Sequence, residues 1–283
     1  MGDWTNATPT STTAGILRPE ELAQRTTLER YAAGPGLQRW VENYWVLGWD
    51  LPPGTAHASQ VLPHPACTLS VERGNPRPET QGQPVVLTGV VTRRFDVALT
   101  GQAWVLGVKF RPGGLASLTG QSARPWRDAV LPARAAVPDR VIDRLEQVGP
   151  DLAGKECVAL AEDALASLVA PDHPNDDRYD RLLTVLDDML TDRSIVQVTQ
   201  LEDRHALSSR GLQRLFHHYV GVGPKWVLAR YRMHDAVSAL DGGWTGSLTD
   251  LAHAHGWYDQ AHFIRDFTAL VGVPPSQYRS RRV

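Results

Sequence analysis

The sequence predicts an α+β protein of two domains. A β-rich, barrel-like N-terminal domain with flanking helices comes first. An all-α domain follows, with two helix-turn-helix units joined by a long helix. Three observations predict this. From Ser194 to Arg282 one plan recurs twice: a short apolar helix, a tight turn, a cap-type residue, then a helix ending near Gly. From about Leu17 to Pro132 the apolar segments are short and broken by Gly and Pro, as strands and turns are. Between the two parts, Ala170 to Asp177 is polar and carries two Pro, which is linker composition. The expected division is a flexible tail over 1–15, a β-rich domain with its packing helices over 16–170, a linker over 171–177 and the helical domain over 178–283.

The chain has 283 residues, enough for two ordinary domains, and a net charge of −2. The charge is uneven. Residues 194–283 hold 10 Lys and Arg against 7 Asp and Glu, while the remainder holds 19 against 24. Seven of the ten His also lie in 194–283. Two Cys, Cys67 and Cys157, make no disulfide framework, so a reducing cytoplasm is the expected location. No apolar run reaches the length of a bilayer span. Met1 to Thr13 lacks the basic-then-apolar order of a signal peptide.

Leu37 to Leu51 carries Trp40, Tyr44, Trp45 and Trp49 and reads as a helical turn running into a strand. Val61-Leu62, Thr68 to Val71, Pro84 to Val91, Phe95 to Leu99 and Ala103 to Phe110 are further strand candidates. Arg111 to Gly114 reads as a turn and Leu115 to Gly120 as a short helix. Val137 to Val148 and Lys155 to Val169 are amphipathic helices, packed on the β-domain or turned to a dimer interface. Tyr179 to Leu190 opens the helical domain.

In the first unit Ser208 is a good N-cap for a helix from Ser209 to Tyr219. Leu212, Leu215, Phe216 and Tyr219 fall at i, i+3, i+4 and i+7, one buried stripe. Arg210, Gln213, Arg214 and His217 take the other face. A long helix from Pro224 to Leu240 follows. In the second unit Asp259 is the cap, Phe263, Phe267 and Leu270 form the stripe, and Gln260, His262 and Arg265 face outward. Arg and Gln can make paired hydrogen bonds to guanine and adenine edges in the major groove.

This segment resembles the DNA-binding domain of AraC/XylS-type transcription regulators. The resemblance is carried by Leu207-Ser208 to Phe216, Gly221-Val222-Gly223-Pro224, Arg232, Ala236, Leu251-Ala252, Gly256-Trp257-Tyr258, Phe263 to Phe267, and Gly272 to Arg279. It covers roughly the last third of the chain. Glu202 stands where the family usually has Ala, and Ala206 where it has Gly, so the first turn is expected to differ slightly. Trp257 stands where the family favours Phe. Tyr44-Trp45, Val61 to Cys67 and Val108 to Gly114 resemble an uncharacterised β-rich domain found in front of such DNA-binding domains.

The resemblance implies a DNA-binding regulator, without enzymatic activity, that places its two outer helices in successive major grooves. By family position and face, the base-edge candidates are Arg210, Gln213, Arg214, His217, Gln260, Ala261, His262 and Arg265. The phosphate candidates are Ser209, Lys225, Arg230, Arg232, Tyr278 and Arg279. Double-stranded DNA is the implied partner; a small-molecule effector, RNA polymerase and a second copy of the chain stay open. No cofactor and no membrane contact are expected. Trp40, Tyr44, Trp45 and Trp49 are read first as core, with one or two as effector-pocket candidates. In one alternative the N-terminal domain only dimerises. In another, His57, His64 and Cys67 hold a metal in an enzymatic barrel, against which stands the lack of a second ligand pair at zinc spacing. Asp250, His253 and His255 read as a solvated or phosphate-side face. The chain has no Gly-x-Ser-x-Gly elbow and no His-Glu-x-x-His.

Overall fold

The computed structural model describes residues 15–75, 77–169 and 176–280. The expected tail and linker therefore lie almost wholly outside the described residues.

Strand β1 (Ile16–Leu17), helix α1 (Pro19–Ala23) and strands β2 (Thr26–Ala32), β3 (Val41–Asp50), β4 (Ala56–Val61) and β5 (Thr68–Arg73) open the fold. β6 (Val85–Thr88), β7 (Phe95–Thr100), β8 (Gln102–Phe110), α2 (Gly114–Thr119) and β9 (Val130–Pro132) complete the β-rich part. Two antiparallel sheets result. The larger runs β2-β3-β8-β5-β6-β9 and the smaller β1-β4-β7. They face each other without closing, so the barrel-like form is an open one.

Each face of the large sheet has its own task. On β3, Tyr44 and Val46 face a helical layer, while Asn43, Trp45, Leu47 and Trp49 face the small sheet. β8 divides likewise, with Leu106, Val108 and Phe110 to the helices and Val105 and Lys109 to the small sheet. This is the period-2 alternation of a strand covered on both faces. The helical layer contains α3 (Asp139–Leu145) and α4 (Gly154–Ala166). Cys157, Ala161, Ala164 and Leu165 of α4 are buried there, so α4 packs as core.

The helical part consists of α5 (Asp177–Thr191), α6 (Val198–Arg204), α7 (Ser209–Tyr219), α8 (Pro224–Asp241), α9 (Leu248–Ala254), α10 (Gln260–Val271) and α11 (Pro275–Ser280). One apolar core runs without a break from the sheet through α5 into α7 and the start of α8. A second gathers Met233, Val237 and Leu240 of α8 with Leu251, Phe263 and Phe267, and takes in Leu17 and Leu62 from the β-rich part. Among the described residues, no helix is long and apolar enough to cross a membrane.

Candidate nucleic-acid interface

The two outer helices are built by the same local chemistry. Ser208 Oγ accepts the Gly211 backbone N–H at 3.1 Å and caps α7; Asp259 Oδ1 accepts the His262 N–H at 2.7 Å and caps α10. Both bonds satisfy a donor that the first helical turn leaves open. Leu212, Leu215, Phe216 and Tyr219 are buried, as are Phe263, Phe267, Leu270 and Val271.

The preceding turns match as well, contrary to the expectation from Ala206. The Leu207 N–H reaches back to the Glu202 carbonyl at 2.9 Å, and the Trp257 N–H to the Ala252 carbonyl at 2.9 Å. Ala206 takes φ 51 where Gly256 takes φ 76. The fold thus holds a non-glycine residue in the left-handed region to preserve the turn, at a cost of about 1–2 kcal/mol.

The outward faces carry exposed cations. Arg210 and Arg214 on α7, Arg265 on α10 and Lys225 at the start of α8 are exposed. Among the described residues they make no hydrogen bond or ion pair. Neighbouring arginines behave differently: Arg204 pairs with Asp188 and Asp192, and Arg193 with Asp235. Gln213 and His217 are half-buried beside Arg214, and Ala261 is exposed. Gln260 accepts from Thr249 at 2.7 Å, and His262 lies 3.1 Å from Asp266.

Two phosphate candidates are engaged within the protein. Tyr278 is buried and its hydroxyl donates to Asp241 at 3.0 Å. Arg232 donates from Nε to the His255 carbonyl at 2.6 Å and lies 4.7 Å over the Trp257 ring, so it staples the second turn. Arg230 is half-buried over Trp226, and burial brings its pKa down to about 10. Arg279 donates to the Gly246 carbonyl at 3.1 Å. Ser209 is exposed at the first turn of α7. Asp250 and His253 are exposed on α9, and Asp250 is tied to Ser247.

The β-rich part grips these helices, and its Thr92, Arg93, Arg94 and Asp96 line one pocket together with Lys225 and His262. The Ala123 N–H donates to the His218 carbonyl near the end of α7 at 2.7 Å. His234 on α8 contacts the Pro63 carbonyl through Nε2 at 2.9 Å, and Arg94 donates to the Val271 carbonyl at the end of α10 at 2.6 Å. Between the sheets lies a cavity of about 550 Å³, whose wall includes His234. Trp45 and Trp49 line it. Trp40 and Tyr44 do not: both are buried in the helix-facing core, where Trp40 Nε1 donates to Ser117. The polar members of the wall, among them Arg30, Glu42 and Lys109, escaped the sequence reading. Among the described residues no three His, Cys, Asp or Glu side chains are grouped as metal ligands, and Cys67 is buried with its thiol pKa pushed up to about 12.

Residues 201–281 match a family model described as a helix-turn-helix domain, and residues 29–132 match one described as a domain of unknown function, DUF6597. The chain is 32% identical over 154 residues to the HTH-type transcriptional activator RhaS of Escherichia fergusonii, over 50% of this chain and 53% of that protein. It thus spans about half the length of the curated relative it matches. A solved transcriptional regulator with an AraC-type DNA-binding domain, from Chromobacterium violaceum, is similar over 38% of this chain and 97% of its own, at 21% identity and a TM-score of 0.35. ToxT from Vibrio cholerae is similar over 90% and 97% respectively, at 10% identity and a TM-score of 0.35.

Proposed function

We propose that the chain is a sequence-specific DNA-binding transcription regulator controlled by a small molecule, its matched helix-turn-helix domain being of the AraC/XylS type. Helices α7 and α10 enter successive major grooves of one duplex face. Such placement needs a separation of about 34 Å, one helical turn of DNA, which the rigid α8 is suited to set. Arg210, Gln213, Arg214 and His217 read bases in one groove; Gln260, Ala261, His262 and Arg265 read them in the other. Ser209 and Lys225, with Arg230 and Arg279 behind them, contact phosphate and fix register.

The observation that carries this reading is the set of exposed cations, unpaired among the described residues, on two helices with matching caps and turns, while Arg193, Arg204, Arg232 and Arg279 nearby are engaged. A desolvated arginine needs an acceptor, and base edges or phosphates supply one. Control by a small molecule is supported by the cavity. Its volume of about 550 Å³ falls in the range of ligand sites. One wall residue, His234, belongs to the helix that joins the two reading units. A ligand that favours one placement of His234 shifts the relation between α7 and α10 by its differential affinity for the two placements.

Selection of binding sites from random duplexes tests the proposal. Enrichment of paired short motifs one helical turn apart supports it. Salt-sensitive binding with no enriched sequence overturns the sequence-reading role.

A further inference from the structure

The walls of the cavity say which chemistry fills it. On the large sheet, Trp45 of β3 stands opposite Arg30 of β2 and Gly107 of β8. A Cβ on Gly107 would fall inside the Trp45 indole, so the ring lies flat across β8 where no side chain rises. Leu28, Leu47, Trp49, Leu99 and Val105 make the end of the cavity beyond Trp45 apolar. Charged side chains line the rest of the wall, Glu42 and Lys109 at the other end and Glu72 with Arg77 along the edge beside Val105.

Most of that charge is matched. Lys109 reaches Glu42 at 2.7 Å, and Arg77 reaches Glu72 at 2.8 Å. Arg73 points out of the cavity and donates to the carbonyls of Glu146 and Val148. Arg30 and the exposed Glu79 are the exceptions. Arg30 lines the cavity and makes no hydrogen bond or ion pair among the described residues. Burial lowers its pKa, with the field of Glu42 opposing. A partly buried guanidinium without an acceptor is unfavourable until an oxyanion arrives, and its forked donors fit a carboxylate or sulfonate. A second negative charge has no place. Oε2 of Glu42 is buried at the same end and accepts no hydrogen bond among the described residues, so it repels anions and suits a donor.

We infer that the cavity takes a small amphipathic monoanion, with its acid group on Arg30 and its apolar body over Trp45. The inference rests on the effector reading above and adds the ligand's class to it. Arg30 and Trp45 are direct cross-strand neighbours, roughly 5 Å apart at Cβ, so one compact molecule reaches both.

The test uses the full chain and two dyes with the same apolar body and N–H donor. These are anionic 8-anilinonaphthalene-1-sulfonate and its neutral counterpart N-phenyl-1-naphthylamine. The anionic dye should bind once per chain, with energy transfer from tryptophan, about tenfold or more tighter than the neutral dye. Arg30→Gln should remove that advantage and leave the neutral dye unchanged. Arg30→Lys should restore part of it, which shows that charge and not folding was lost. Val105→Trp, which fills the apolar end, should abolish saturable binding of both. Equal affinity for the two dyes, or an advantage that survives Arg30→Gln, overturns the anion assignment and leaves the effector cavity standing. No saturable binding of either dye, or binding indifferent to Val105→Trp, removes the cavity and the effector reading with it.

Discussion

Asp176 ties the β-rich part to α7, and removing it should loosen both. Its Oδ1 accepts the Tyr179 N–H at 3.1 Å and the Tyr219 hydroxyl at 2.6 Å; its Oδ2 accepts from Ser117 at 3.1 Å. One carboxylate therefore caps α5, holds the end of α7 and reaches α2. Burial raises its pKa, and the hydrogen bonds from Tyr219, the Tyr179 N–H and Ser117 outweigh that, so the net shift is downward. The carboxylate is charged and engaged at neutral pH. Asp176→Ala removes a cap worth about 1 kcal/mol. It also removes a hydrogen bond to a charged acceptor, worth about 1.5–3 kcal/mol. Because Asp176 is half-buried, the sum should fall toward the lower part of about 2–4 kcal/mol. Asp176→Asn keeps a capping oxygen and loses the charge, so it should cost about half as much. Urea denaturation followed by tryptophan fluorescence measures both. A loss under about 0.5 kcal/mol for Asp176→Ala, the range of a neutral surface change, would refute the claim that this junction couples the two parts.

Other perturbations test separate links. Ala206→Gly relieves a left-handed residue at about 1–2 kcal/mol and gives back about 0.5–1 in chain entropy. A net gain of about 0.5–1 kcal/mol should appear in the same denaturation assay, and a loss of stability would contradict the turn assignment. Lys225→Ala should weaken all duplexes alike and lower the salt slope of binding by about one; an unchanged slope removes Lys225 from the phosphate set. His234 is fully buried and its imidazole pKa is held down to about 4, by burial first and by Arg230 and Lys109 as well, against the Pro63 carbonyl. Folded His234 stays neutral where the unfolded side chain already takes a proton. Its contribution is complete above about pH 6.5, shrinks as pH falls and is exhausted below about 4, for a total of about 3 kcal/mol. His234→Gln should flatten that part of the stability profile between pH 7 and 5, and an unaltered profile would place the acid sensitivity elsewhere.

Much of the two outer helices was legible because they rest on local rules. The caps Ser208 and Asp259, the helix bounds and the buried stripes follow from residues within a few positions of one another. Strand β2 was not legible: Thr26 to Ala32 is largely polar and sits at a sheet edge with half its side chains exposed. Two phosphate candidates have internal partners that were not legible, because a sequence does not show which way an amphipathic side chain turns; Tyr278 found Asp241, and Arg232 found the Trp257 ring. The cavity was hidden for a related reason. Arg30, Trp45 and Gly107 meet only through cross-strand register, and His234 reaches the cavity from a helix about 170 residues beyond the strands it faces. The signal that could have pointed there is period-2 alternation on β5, where Ser70 and Glu72 interleave with Leu69 and Val71.

The two-headed reading of DNA is the central claim, and one measurement addresses it directly. Sites selected from random duplexes by the wild-type chain are compared with those selected by Arg214→Ala and Arg265→Ala. The account predicts two short motifs one helical turn apart, about 1–3 kcal/mol of discrimination lost with each variant, and erasure of a different motif by each. A single motif weakened equally by both variants, or no motif at all, would contradict it.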